Sequence, residues 1–151
     1  MVLTLSAAAA VIGTEAIVRR RVNAAPAAFY PKPVSGGVEL RRAHNYGLVG
    51  SRFAEKPKVV MTWQTLANLA AISGAFMVNT VVPASALTRL GMGLLTGGAL
   101  ANLIERVQRG CVTDYLHGVD QKVDLLNRRI WNLADMAIFN GAVLTLTGLV
   151  L

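Results

Sequence analysis

Gly97-Gly98-Ala99-Leu100-Ala101-Asn102-Leu103-Ile104-Glu105-Arg106, then Gly110 and Val112-Thr113-Asp114-Tyr115, and finally Trp131-Asn132-Leu133-Ala134-Asp135, form the stretch on which the fold turns. It closes one apolar segment, crosses a polar connection and opens another apolar segment. Two aspartates therefore stand at the mouths of two hydrophobic segments. Acids at or within a membrane edge are costly to keep and rarely incidental. The rest of the chain reads as a frame around them.

Working outward, the 151 residues suit one domain, residues 1–151. Apolar residues make up 54% and charged residues 15%, with a mean hydropathy of +0.48. A soluble domain carries about 25% charged residues, so this balance points to a membrane protein. The formal charge is +7, and the basic residues crowd into two polar connections. That distribution suits lipid headgroups. It does not suit nucleic acid, because no basic stripe lies on a soluble module. A lone Cys111 excludes an intrachain disulfide and a cysteine metal cluster.

Residues 1–18 are an apolar run broken by Glu15 and followed by Arg19, Arg20 and Arg21. At 1.5 Å per residue the run spans about 27 Å, enough for a bilayer core. It lacks the basic start of a secretory signal peptide and reads as a retained membrane helix. Residues 23–58 form a long polar connection in which Pro26, Pro31 and Pro33 forbid a continuous helix. Gly36-Gly37 reads as a turn, Val38 to Arg42 alternates weakly like a strand, and His44-Asn45-Tyr46-Gly47 reads as another turn. Residues 59–82 are the second membrane segment, ended by Pro83. Residues 84–104 are the third, with a small-xxx-small pair at Gly93 and Gly97 for close helix packing. In the second connection, Val119, Val123, Leu125 and Leu126 among charged residues predict a short interfacial helix. Residues 130–151 are the fourth segment, with Trp131 as an interface anchor.

The expected fold is thus an all-α membrane protein: four transmembrane helices, a small extramembrane β-rich loop and a short interfacial helix. Two spans separate the two large connections, so both lie on one side of the membrane, and Asp114 and Asp135 lie on that side with them. Two carboxylates brought together share a proton. Such a pair can activate water with one member and protonate a leaving amine with the other. Read alone, each acid also suits a plainer role, and Asp135 is favourable at a helix N-terminus in any case. Asn102 and Asn132 can hold a carboxylate or a peptide through their amides. Arg106 can pair with Glu105 or a loop carbonyl. For these three the plain reading is capping at a membrane interface, and for Asn45 and Gly47 it is an ordinary turn. His44 and His117 are too few and too far apart for zinc, and no phosphate loop is present, so no cofactor or metal is expected.

Taken together, Asn102-Leu103-Ile104-Glu105-Arg106, Gly110 and Val112-Thr113-Asp114-Tyr115 resemble the first aspartate motif of lipoprotein signal peptidases (signal peptidase II). Asn132-Leu133-Ala134-Asp135-Met136-Ala137-Ile138 is similar to that family's second aspartate motif. His44-Asn45-Tyr46-Gly47 resembles its asparagine-glycine motif, and Glu15 and Arg19 match in spacing an acid and a base near the end of its first helix. The resemblance implies an intramembrane aspartic endopeptidase that removes the signal peptide of a diacylglyceryl-modified prolipoprotein. It implies Asp114 and Asp135 as the catalytic dyad, with Glu15, Arg19, Asn45, Gly47, Asn102, Arg106, Asn132 and Ala134 lining or bracing the site. It further implies a monomer in the bacterial cytoplasmic (inner) membrane among phospholipids, with the active site toward the outer face. The departures are Glu15 and Glu105 where the family usually has Asp, Arg19 for Lys, Ala101 for Gly, Tyr115 and Trp131 for Phe, and Gly47-Leu48-Val49-Gly50 for a Gly-Ala-Ala-Phe run. The last alters a loop near substrate. It keeps open a second function, that of a non-proteolytic relative acting as a lipid-binding or interaction protein. The charge pattern opposes the family's sidedness: nearly all Lys and Arg lie in the two large connections and only Arg89 on the other side, which the positive-inside rule would place in the cytoplasm. The more specific motifs favour the outward orientation.

Overall fold

The computed structural model describes residues 1–119 and 128–151. Four helices cross it: α1 (Val2–Ala24), α2 (Pro57–Thr80), α3 (Ala86–Arg109) and α4 (Leu133–Val150). All four are long and apolar enough to span a membrane. A small antiparallel sheet caps one end, in the order β1 (Lys32–Pro33), β2 (Val38–Asn45), β3 (Val112–Gly118), β4 (Ile130–Trp131). Its first two strands come from the first connection and its last two from the second. The two connections therefore do meet on one side of the bundle.

The helices outrun or undercut the apolar runs for identifiable reasons. The first continues past residue 18 to Ala24 because Arg19 is buried and paired one turn back with Glu15. The third continues past residue 104 to Arg109 because Glu105 and Arg106 are buried among partners rather than released to water. It stops at Gly110, whose φ of 76° is the left-handed conformation that ends a helix. The second stops at Thr80, three residues before Pro83. Asn132 caps the fourth, which begins at Leu133 rather than at residue 130, because Ile130 and Trp131 are drawn into the sheet.

The loops depart further from expectation. The weak alternation at 38–42 grows into a strand that runs on to Asn45, so His44 and Asn45 are strand residues and the turn starts at Tyr46. The second connection supplies two strands that its polar composition concealed. The interfacial helix expected around Val119 to Leu126 falls mainly on residues 120–127, outside those described.

The hub is α3, which packs against each of the other three helices. Two sets of glycines make this possible. A Cβ on Gly93 or Gly97 would strike the α1 backbone at Thr4 or Ala8, at 2.6 and 2.7 Å. One on Gly91 or Gly98 would strike α4, at 2.5 Å from Thr145 N and 2.4 Å from Ala134 O. The Gly93 and Gly97 pair thus serves α1, while a second pair seven residues apart serves α4. Without water to drive helices together, such close backbone contact is what holds a bundle in lipid. The helix α2 lies mainly against α3, touches α1 where Asn79 Nδ2 donates to Thr4 Oγ1 at 3.0 Å, and keeps Trp63, Leu66, Leu69 and Phe76 exposed, a surface suited to acyl chains.

Replacing Gly98 by Ala should destabilise the protein by about 1–3 kcal/mol, since the new methyl has only backbone to meet. Gly13 to Ala, where nothing lies within 4 Å, should be neutral or stabilising by up to about 1 kcal/mol. Thermal unfolding in a mild detergent compares the two.

Candidate active site

At the loop end of the bundle, the first turn of α4 has every amide N–H accounted for. Asn132 and Asp135 form a reciprocal capping box: Asp135 N donates to Asn132 Oδ1 at 2.8 Å, and Asn132 N donates to Asp135 Oδ2 at 3.3 Å. Leu133 N donates to the Tyr115 hydroxyl at 3.2 Å, and Ala134 N donates to Glu15 Oε1. Met136 N returns to Asn132 O at 3.3 Å. The plain reading of Asp135 as a helix-end residue is thus correct as far as it goes. The same carboxylate also accepts from Asn102 Nδ2, at 3.0 Å on Oδ1.

Asp114 reaches this point from the sheet. Its strand pairs with β2, with Ala43 opposite Asp114 and Asn45 opposite Val112, and the register shifts by a bulge between Leu40 and Ala43. The next strand pairs Trp131 with Leu116, which delivers Asn132 beside Asp114. Asn132 Nδ2 then donates to Asp114 Oδ1 at 2.7 Å. One asparagine side chain therefore touches both aspartates, through its amide nitrogen to Asp114 and its oxygen to the Asp135 backbone. Burial pushes the Asp114 carboxyl up to about 7, and the charge of Asp135 adds to the rise. Hydrogen bonds from Asn132 and Asn45 and the charge of Arg19 pull the other way without cancelling it.

Behind the aspartates lies a buried ionic cluster. Arg19 Nη2 donates to Asn102 Oδ1 at 2.6 Å and Nη1 to Ala101 O at 2.9 Å. Its Nε lies 3.1 Å from Glu15 Oε2 and 3.0 Å from Glu105 Oε2, close ion-pair contacts without hydrogen-bond alignment. Glu105 accepts from Thr113 N at 2.9 Å and Thr113 Oγ1 at 2.7 Å, which fixes the residue beside Asp114. Glu15 Oε2 accepts from Tyr115 at 3.1 Å, which fixes the residue on its other side. Ala134, fully buried, keeps the crossing beside Gly98 small.

Asn45, Gly47 and Arg106 form a neighbouring group. Arg106 donates from Nη2 to Gly47 O at 2.7 Å, from Nη1 to Asn45 O at 3.2 Å and from Nε to Gln64 Oε1 at 2.6 Å. Of its two expected partners the loop carbonyls are correct and Glu105 is not, because Glu105 turns to Arg19. Asn45 Oδ1 accepts from Gly47 N at 2.9 Å, and the Asn45 amide also bonds Asp114. Gly47 admits no side chain: a Cβ there would lie 2.4 Å from Arg52 O, across a turn closed by Leu48 N to Arg52 O at 2.8 Å.

All ten residues singled out in the sequence thus belong to one connected region. Four further members, Glu105, Thr113, Tyr115 and Gln64, carried weaker signals. Glu105, Thr113 and Tyr115 stand inside the quoted motif. Gln64 passed as a mild polar residue in an apolar helix, and only the approach of α2 to Arg106 gives it a role.

Comparison with known proteins follows the same lines. A family profile described as Signal peptidase (SPase) II matches residues 7–151. The chain is 34% identical to a protein of Moorella thermoacetica named lipoprotein signal peptidase, over 74% of this chain and 69% of that one. It is 32% identical to one of the same name from Syntrophomonas wolfei, over 80% and 76%, and 31% identical to one from Acinetobacter baumannii, over 77% and 65%. Two solved structures described as bacterial membrane enzymes, at 2.3 and 1.9 Å, share the fold. Their TM-scores are 0.79 and 0.75 at 17% and 18% identity, covering 97% of this chain and 87% and 91% of theirs.

The polar scaffold predicts an order of effects. Tyr115 to Phe leaves Leu133 N and a Glu15 oxygen each short of a partner and should cost about 1–3 kcal/mol. Arg19 to Gln leaves two buried carboxylates facing each other and should cost about 3–5 kcal/mol. Unfolding midpoints in detergent rank the two. In a separate experiment, Asp135 to Asn should lower the Asp114 pKa from about 7, yet leave it above the ordinary 3.8, because burial is the larger cause. Infrared titration of the carboxyl band reads the change.

Proposed function

The chain belongs to the signal peptidase II family, and from that premise we propose that it is an aspartic endopeptidase working at the membrane surface, with Asp114 and Asp135 as its dyad. The family supports cleavage of signal peptides from lipoprotein precursors, within a bacterial multi-pass membrane protein. The observation that carries the finer reading is the shared asparagine: Asn132 holds Asp114 by its amide and caps Asp135 by its oxygen.

In the proposed reaction the pair holds one proton between them. The ionised member takes a proton from water, whose oxygen attacks the scissile carbonyl. The protonated member gives its proton to the carbonyl oxygen as the tetrahedral intermediate forms, and the proton taken from water passes to the released amine as that intermediate collapses. The Asp114 pKa of about 7 supports the shared proton near neutral pH. Asn102 and Arg19 orient Asp135, Glu105 and Thr113 orient the strand bearing Asp114, and Arg106 holds the 45–47 turn beside the dyad. The substrate is the diacylglyceryl-modified prolipoprotein, cut just before its lipidated cysteine. The protein acts as a monomer with this site toward the outer face of the membrane.

Asp114 to Asn and Asp135 to Asn should each lower cleavage of a lipidated prolipoprotein in detergent by at least about a hundredfold. Full activity in both would remove the dyad from the reaction. The sign of the pH dependence follows from the raised pKa: the proton is retained below about 7 and lost above it, so cleavage should fall on the alkaline side. Restoration of lipoprotein maturation in cells depleted of their own signal peptidase tests the function as a whole. Failure there despite correct insertion would favour a lipid-binding relative. Cys111 is buried, so sidedness is better read from the exposed Ser51. With Cys111 replaced by Ala, Ser51 to Cys should react with a membrane-impermeant maleimide in intact cells, and labelling only after lysis would reverse the orientation.

A further inference from the structure

A cavity opens at the same end of the bundle, between α1 and α3, and neither member of the proposed dyad lines it. Its volume is about 350 Å³. Ile12, Ala16 and Ile104 form its apolar wall, and Arg20, Asn23 and Arg109 stand toward the helix ends. From Ile12 to Asn23 the helix rises about 16 Å, so the wall grades from hydrocarbon depth to headgroup level. Three arginines and two glutamates share the lining. Glu15 and Glu105 are both taken up by Arg19. Arg109 is held only loosely, its Nε 3.9 Å from Glu105 Oε1, and Arg20 is exposed with no hydrogen bond or ion pair among the described residues. The cavity is thus positive at its polar end and apolar below.

We propose that this cavity binds an anionic phospholipid of the surrounding membrane, its phosphate between Arg20 and Arg109 and its upper acyl carbons along Ile12 and Ile104. Guanidinium groups match phosphate oxygens in pairs. A net negative headgroup gains from both arginines, whereas a zwitterionic one brings an ammonium that they repel. The cationic end and the apolar wall together select a lipid over a free anion, which would fill only the upper half. This binding does not depend on the proteolytic reading.

The test uses the full chain in nanodiscs holding equal amounts of phosphatidylglycerol and phosphatidylcholine, with co-purified lipid counted by native mass spectrometry. The wild type should retain phosphatidylglycerol at roughly tenfold over its bulk ratio. The double variant R20Q/R109Q should return to the bulk ratio. R21Q removes another exposed charge that does not line the cavity, and it should keep the enrichment. Equal enrichment in the double variant, equal loss in R21Q, or no enrichment in the wild type would overturn the site. Displacement of the lipid by millimolar glycerol phosphate would assign the arginines to a free phosphate and overturn the lipid as occupant. Should the double variant not purify, R20Q alone and the wild type against R21Q give the same contrasts.

Discussion

The loop end of this protein depends on one buried cation. Among the described residues Arg19 alone contacts both Glu15 and Glu105, and through them it reaches the strand that carries Asp114 and the helix that carries Asp135. Glu15 passes the connection to the first turn of α4 and Glu105 passes it to β3. The guanidinium itself holds Ala101 O and the Asn102 side chain on α3. A buried charge of this kind is tolerable only when its partners are complete, because taking the ions out of water costs several kcal/mol each. The fixed fork of an arginine can meet four acceptors at once, which a single ammonium point on a flexible stem does less well.

Two kinds of constraint then place the aspartates. Helix packing sets α4, through glycines that let its backbone touch α3. Sheet register sets Asp114, through β2 on one side and the short β4 on the other. The two arrive from different structural layers and meet at Asn132, which is both the last residue before the helix and the partner of the strand's aspartate. The helix α2 stands apart from this. It touches the rest mainly through α3, with Asn79 also bonded to Thr4 of α1, and Gln64 to Arg106 is its polar link to the site region among the described residues.

Much of this was legible in the residues. The four apolar runs, the common side of the two connections, the small faces of the third helix and two acids at two membrane mouths follow from composition and spacing, and the two aspartate motifs from their resemblance to a known family. What escaped was held by tertiary partners. Polar helix ends such as Arg19 to Ala24 and Glu105 to Arg109 look like loop until their partners are known, because periodicity is blind to a buried ion pair. The strand at Val112–Gly118 reads as a polar connection because its hydrogen bonds go to β2, about seventy residues away in the chain. Tyr115 looks like a mild replacement for phenylalanine, and its hydroxyl gains meaning only beside a glutamate long enough to reach it.

The full satisfaction of the α4 N-terminus has a consequence for the proposed chemistry. A helix start is often where a reaction finds free amides to steady a growing negative charge. Here Leu133, Ala134, Asp135 and Met136 have already given their N–H groups to Tyr115, Glu15 and Asn132. No oxyanion hole can be built from that turn. On the proposed mechanism the carbonyl oxygen of the tetrahedral intermediate gains no help from that turn and takes the dyad's proton as it forms, which makes the protonated member an electrophile toward the substrate, while the member that took a proton from water becomes the donor to the departing amine.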